Sequence, residues 1–432
     1  MVKANANISN ELRDVISTIQ GYSGSKDVFA ALAQEPVQNA KDNPMPNSKL
    51  PPTITYKLIE GDQNTILTIT DEFTTGLDGK VQDDAEINTH MADGNIEAIS
   101  NHSAFFADNI TTKESRDSSG SRGQGKKAAL FHGLFNLDED ERNKRIAMVV
   151  DTNTRDENNK NTYRLSVLYF MPRRNYFGPF LDKNAKDYLK EINFSEFETL
   201  DGQDITNLGV KESVLKLGLK PLKSTGTRLI IPYLSLSTIE KFKDGTMTKW
   251  LERIWWNAIL YNKIRIFLEI GDEKIQIKCT DYWKEEPWLD KNLDSTNTKE
   301  KGTYVTEDIK IKGTSDPAKK ILGKNPTLTI KRIVFDWDSS RSEDEINKGR
   351  NANELQGVQW IRNHQWIKTE NIKTLSSSLI PNIEDKESFY NGFRAFIEFD
   401  DDTCRVLKDD SIETPQHHDV IENVDIRKID AE

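Results

Sequence analysis

Hydrophobic and polar positions alternate along this chain in two rhythms. In TILTITDE a strand puts Leu67, Ile69 and Asp71 on one face, and further β-prone runs follow in RIAMVVD, YRLSVLYF and TRLIIPY. Between Phe29 and Asp42 the spacing is helical instead, with Phe29, Ala33, Val37 and Ala40 apolar and Glu35, Asn39 and Asp42 polar. Leu12, Val15, Ile16 and Ile19 recur at helical spacing in an N-terminal arm, residues 1–24. HMADGNIEAISNHSAFFADN predicts helix and TTKESRDSSGS a mobile link. From about residue 236 the pattern begins helical, with a broad apolar face of Trp250, Leu251, Ile254, Trp255 and Ile259, and ends as a strand. KIQIKC, TLTIKRIVFDW, GVQWIRNHQWI and FRAFIEFDDD then predict a second, sheet-based region. The fold class expected from this order is α+β.

Composition narrows the picture. The 432 residues, 36% of them apolar, suffice for about two or three domains. A formal charge of −11 works against wholesale binding of nucleic-acid phosphates, and basic spots such as Arg142, Lys144 and Arg145 fit solvated surface. Two cysteines, Cys279 and Cys404, indicate neither a disulfide framework nor a zinc site, so a reducing, cytoplasmic setting is expected. The polar opening MVKANANISNELRD and the short apolar runs predict neither a signal peptide nor a membrane span.

Four segments carry the candidate chemistry. Around AQEPVQNAKD, helical positions 35, 39 and 42 fall within about 60° of one another, so a polar stripe runs along an apolar helix. Such a stripe is either solvated or turned to a ligand. Asn39 offers a neutral oxygen suited to Mg²⁺, and Glu35, one turn earlier, can take a proton from water. In TITDEFTTGLDG, Asp71 ends a strand before a turn with Gly76 and Gly79, where a carboxylate can accept the exocyclic amine of adenine. In GSRGQGKKAALFHG, Gly120, Gly123 and Gly125 precede a helical run, so backbone amides with Lys126 or Lys127 can surround phosphate, and Ser121 and Arg122 add donors. This segment also meets the first seven positions of the Walker A pattern, but Lys127 stands where that motif needs Ser or Thr, and no buried strand precedes it. In STGTRLIIPY a turn feeds a strand, and Thr227 can bond a base edge or a bridging water beside Asp71.

Jointly these segments resemble the four boxes of the GHKL ATPases, the group of DNA gyrase, the ninety-kilodalton heat-shock chaperones, sensor histidine kinases and MutL, over about residues 25–235. The resemblance implies a Bergerat-type α/β sandwich binding ATP and Mg²⁺. It implies Glu35 as general base, Asn39 as magnesium ligand, Asp71 and Thr227 as adenine readers, and Gly76 as floor of the pocket. Gly120, Gly123, Gly125 and Lys126 would hinge a lid over the phosphates, and Asp42 matches a position often acidic in the family. Residues 236–432 would then be a connecting helix and a transducer-like domain, as in gyrase, MutL and MORC-type proteins, with Gln416 of TPQHHD as candidate sensor of the terminal phosphate. In TPQHHD, His417 and His418 fit a solvated turn better than a metal site.

The chain departs from the pattern twice. Glu72, Phe73, Thr74 and Thr75 precede Gly76, as though one residue were inserted and a glycine lost. Pro36 follows the proposed base directly, where a proline kinks a helix or restarts it. The stretch before Glu35 is too short for the helical hairpin of a histidine kinase. The expectation is an ATPase whose hydrolysis drives a conformational switch, with an ATP-gated homodimer or a protein partner carrying any effector chemistry. A nucleotide-regulated scaffold and an ATP-driven nucleic-acid clamp are the other readings, a bacterial antiviral system being one setting.

Overall fold

A computed structural model describes residues 28–60, 65–79, 82, 84–93, 95, 98–106, 125–133, 146–155, 161–169, 222–279, 304–313, 316–337, 357–370, 393–400, 402–404 and 406. The chain divides into two units, Met1–Leu251 with Asn262–Ile277, and Glu252–Tyr261 with Lys278–Glu432. Each mixes helices with strands in an open sheet, so the architecture is α+β. The arm over 1–24, the link TTKESRDSSGS, the polar stretch 175–219 and TPQHHD fall outside the described residues. Among the described residues no helix is long and apolar enough to cross a membrane.

The first unit contains α1 (Val28–Asp42), β1 (Thr53–Glu60), β2 (Thr65–Glu72), α2 (Asp84–Ala92), α3 (Asn101–Phe106) and α4 (Gly125–Phe131). It continues with β3 (Ile146–Arg155), β4 (Asn161–Tyr169), β5 (Gly226–Ile231), α5 (Leu236–Lys243), the start of α6 (Thr246–Leu260), β6 (Arg265–Ile270) and β7 (Glu273–Gln276). The seven strands lie in the order β4-β3-β5-β2-β1-β6-β7. β1 and β6 run parallel and every other pairing is antiparallel. The first sheet thus extends past residue 235, because β6 and β7 complete it. The alternation of Ile264, Ile266 and Leu268 announces a strand, but its partner β1 lies two hundred residues back and is not encoded locally.

Alternation gives the sheet two unlike faces. Across one face runs a buried apolar row, Leu268, Tyr56, Ile69, Leu229 and Val150, set by the cross-strand register. Two residues along each strand, on that same face, come Ile266, Ile54, Asp71, Thr227 and Thr152. Polar groups thus begin where the apolar row ends.

Helix α1 covers this face, and Pro36 explains how. A proline at 36 cannot donate to the carbonyl of Leu32, one helical turn earlier. The helix nonetheless runs unbroken from Val28 to Asp42. The fully buried Tyr56 Oη donates to the Leu32 carbonyl at 2.9 Å, so the sheet supplies the hydrogen bond that the proline removes. Burial holds the Tyr56 phenol well above its ordinary pKa, and it remains a donor. The helix does not restart at Pro36 but continues through it, anchored at its defect.

The segment 84–106 forms two helices rather than one, interrupted between Ala92 and Asn101. Gln82 spans the interruption: its Nε2 donates to Ala98 O at 2.9 Å and its Oε1 accepts from Ser100 N at 2.7 Å. Asn101 Nδ2 donates to Asp78 Oδ1, tying α3 to the turn after Asp71. Further on, Ser235 caps α5 by accepting from Thr238 N at 3.0 Å, and Gly245, at φ +82°, separates α5 from α6.

The second unit holds the rest of α6, β8 (Tyr304–Lys312), α7 (Asp316–Leu322), β9 (Thr327–Trp337), β10 (Gly357–Arg362), β11 (Gln365–Glu370) and β12 (Phe393–Phe399). Its sheet order is β11-β10-β12-β9-β8, with β10 and β12 parallel. The run GVQWIRNHQWI is a hairpin, turned at Asn363 (φ 45°) and His364 (φ 64°). His364 Nδ1 lies 2.6 Å from Asn257 Oδ1 and 3.3 Å from Glu398 Oε1, which fixes the hairpin tip to the buried Glu398.

Candidate functional site

On α1 every described residue from Phe29 to Ala40 is buried except Asn39, which is exposed. Glu35, one turn away, is only 7% exposed. The helix thus presents Asn39 to solvent and holds Glu35 against the protein, a division the spacing of 35, 39 and 42 does not reveal. Asp42 is engaged by its neighbour Lys41, whose Nζ lies 2.8 Å from its carboxylate in a pair that is largely buried.

The C-terminal end of α1 is stitched to the loop after β2. Met45 N donates to Phe73 O at 2.9 Å, Thr75 N to Asn43 O at 3.0 Å, and Pro44 bridges Thr74. The polar stripe of α1 and the turn following Asp71 are therefore neighbours through backbone contacts. Phe73 reaches φ +62° in this turn, and Gly76 reaches φ +67°.

Asp71 and Thr227, assigned separately from sequence, meet directly. The Thr227 amide donates to Asp71 Oδ1 at 3.0 Å, and the Thr74 hydroxyl donates to the same oxygen. The carboxyl is pushed up to about 6, chiefly by burial and slightly by Glu72, against the lowering effect of the Thr74 and Thr227 hydrogen bonds. Thr152, which no sequence signal marks, completes the row. Its hydroxyl donates to Gly226 O at 3.0 Å and accepts from Leu77 N at 3.1 Å. With that single proton used, the 3.4 Å contact between the two hydroxyls takes its proton from Thr227.

Two glycines allow this close assembly. A Cβ on Gly226 would stand 2.1 Å from the Asp71 carbonyl oxygen, and one on Gly76 would meet Asn153 O at 2.9 Å and Gly226 O at 3.0 Å. Gly76 thus lines the base of the Asp71–Thr227 row, and Gly226 is as necessary there. Thr225 and Ser224 close the neighbouring loop: Thr225 Oγ1 donates to Thr74 O at 2.5 Å, and Phe73 N to Ser224 Oγ at 3.1 Å.

The opposite face of β5 is built differently. Arg228 faces Asp151 at 3.4 Å, their side chains 3% and 5% exposed. Burial raises the Asp151 carboxyl and lowers Arg228, and their mutual attraction opposes both shifts.

Helix α4 packs on α1. Its C-terminal end is fixed by His132, whose ring stacks at a tilt on Phe29 at 4.8 Å and whose Nδ1 is 2.9 Å from Thr238 Oγ1. Gly125 and Lys126 open α4, so the backbone of this predicted phosphate segment belongs to the same unit as Glu35, Asn39, Asp71, Gly76 and Thr227. Gly120, Gly123 and Gln416 lie outside the described residues. Thr74, Thr152 and Gly226 are the members of the site that sequence reasoning did not single out. No protein-family model matches this chain, and no curated protein matches it significantly.

Proposed function

We propose that this protein binds ATP with Mg²⁺ and hydrolyses it, and that the cycle drives a conformational switch. The observation that carries the reading is Asp71: a half-buried carboxylate at a strand end, oriented by two neutral donors on one oxygen, beside Thr227 and next to the end of the helix bearing Glu35 and Asn39. An acceptor so placed suits an exocyclic amine, and the resemblance of the four segments to the GHKL boxes names that amine as adenine's. The Bergerat-type arrangement and the transducer-like role of the second unit belong to this same proposal.

Asn39 fits a magnesium site by its neutral oxygen and by being the exposed member of an otherwise buried helical run. Bound Mg²⁺ supplies charge neutralisation at the triphosphate. Asp71 and Thr227 hold the base, and Gly76 and Gly226 let the segments that carry them pack closely together. Glu35, held inward on the polar stripe, takes the proton of the attacking water. The Glu35→Ala protein is expected to bind ATP with unchanged affinity while phosphate release falls by about a hundredfold or more. Retained turnover removes Glu35 from the mechanism, and ATP binding by the unmodified protein without phosphate release leaves a nucleotide-regulated scaffold instead.

A further inference from the structure

Thr74 belongs to the stretch where the chain departs from the family pattern, and the function proposed above uses it only to orient Asp71. We infer that Thr74 sets the base preference of the nucleotide site, by filling one oxygen of Asp71 and leaving a single carboxylate acceptor for the 6-amino group of a purine. The inference rests on the ATP reading and deepens it.

Asp71 Oδ1 accepts the Thr227 amide at 3.0 Å and the Thr74 hydroxyl. A carboxylate oxygen has room for about two such bonds, so Oδ1 is full. Among the described residues no donor reaches Oδ2. Guanine offers two adjacent donors, N1–H and the 2-amino group, which suit a carboxylate with both oxygens open. Adenine offers one amino group, which needs one oxygen. With Oδ1 committed, the carboxylate matches the 6-aminopurine and is denied the two-pronged grip on the 2-amino-6-oxopurine.

Thr74 is held to this task from every side. It is 2% exposed. Its carbonyl accepts from Thr225 Oγ1 at 2.5 Å, and its backbone bridges Pro44. Its hydroxyl oxygen accepts from Gly76 N at 3.2 Å. The hydroxyl has one proton, and an ionised Asp71 can only accept it, so the direction of the bond is fixed. The charged neighbour that bears on Asp71 is Glu72, which raises its pKa.

The test is calorimetry of Mg·ATP and Mg·GTP on the full chain and on T74V and T74S, with the ATP series repeated across pH. T74V keeps the shape and removes the donor. It is expected to lose about tenfold of the preference for ATP over GTP, the worth of one hydrogen bond. The midpoint of ATP binding against pH should also move above about 6, since Thr74 no longer favours the carboxylate. T74S should restore both. If T74V does not fold, T74C, a weaker donor of similar size, should show the same changes in smaller degree. Equal weakening of both nucleotides with an unmoved midpoint marks Thr74 as a loop support only and overturns the inference, as does an unchanged ratio. Uptake of neither nucleotide by the unmodified protein overturns the ATP reading itself, and this inference with it.

Discussion

Two carboxylates flank β5, one on each face of the same sheet, and the chain treats them oppositely. Asp151 meets the guanidinium of Arg228, whereas Asp71, opposite the preceding residue of β5, meets only the amide of Thr227 and the hydroxyl of Thr74. Burial raises the pKa of both. On the Asp151 side an opposite charge answers that penalty, and Glu72 adds its attraction for Arg228. On the Asp71 side neutral donors settle one oxygen and leave the carboxyl near neutrality, at about 6. A buried charge with its own counterion is structure. A carboxyl held by neutral donors with an oxygen to spare is the one that gains from a ligand.

The comparison breaks most visibly on the structural side. Asp151→Ala removes the buried carboxylate that faces Arg228 and is expected to cost about 3–5 kcal/mol, read as a fall in denaturation midpoint with an unchanged slope. Nucleotide affinity of the fraction that stays folded should be preserved. A stable Asp151→Ala protein would mean that Glu72 or water answers the Arg228 charge, and the contrast between the two faces would be lost.

On the other face, Asp71→Asn should separate binding from stability. The amide oxygen can keep both donors at the Oδ1 position, which turns the amide nitrogen toward the base amine, donor against donor. ATP affinity is expected to fall by about 10–100-fold, while the melting temperature at neutral pH does not fall, because no charge is left to desolvate. The pH dependence follows the same logic. The folded-state pKa of about 6 lies above the ordinary 3.8, so Asp71 favours the folded state fully below the ordinary value and loses that contribution as pH rises through about 6. Under the proposed function, nucleotide binding needs the carboxylate and runs the other way: affinity should be constant above about 6 and drop about tenfold per pH unit below it. Asp71→Asn, lacking the titrating group, should remove that drop and serves as the control for titration of the triphosphate.

The local chemistry of these faces was legible in the sequence to very different degrees. A strand that carries Asp71 beside its end and a strand that opens just before Thr227 follow from alternation and turn residues. Thr152 carries no signal at all, because it is one of several polar residues in TNTR and only the register of β3 against β5 brings it to Thr227. Thr74 looked like part of an insertion that disturbed a motif, and its partner is clear only once the turn at Phe73 folds it back on Asp71. The Asn363–His364 turn was readable in principle, since asparagine tolerates positive φ, yet the apolar residues on both sides read as one strand. The reach of the first sheet to β7 was hidden for a different reason: a parallel partner distant in sequence leaves no local trace.

The smallest effect concerns a polar group answered by a neutral partner alone. Pro36 leaves the Leu32 carbonyl without its helical donor, and Tyr56 Oη replaces it across the helix–sheet boundary. No charge is involved, so the loss of this bond lies well below that of the Arg228–Asp151 pair. Tyr56→Phe keeps the ring that lies 6.3 Å from Phe242 and removes only the hydroxyl. It is expected to cost about 1–2 kcal/mol in chemical denaturation. The double variant Tyr56→Phe with Pro36→Ala should recover most of that cost, because alanine at 36 restores the backbone donor to Leu32. Additive losses would instead mean that the tyrosine stabilises the unit by some route other than the carbonyl. The helix that carries Glu35 and Asn39 would then continue through Pro36 for a reason that lies outside the Tyr56–Leu32 bond.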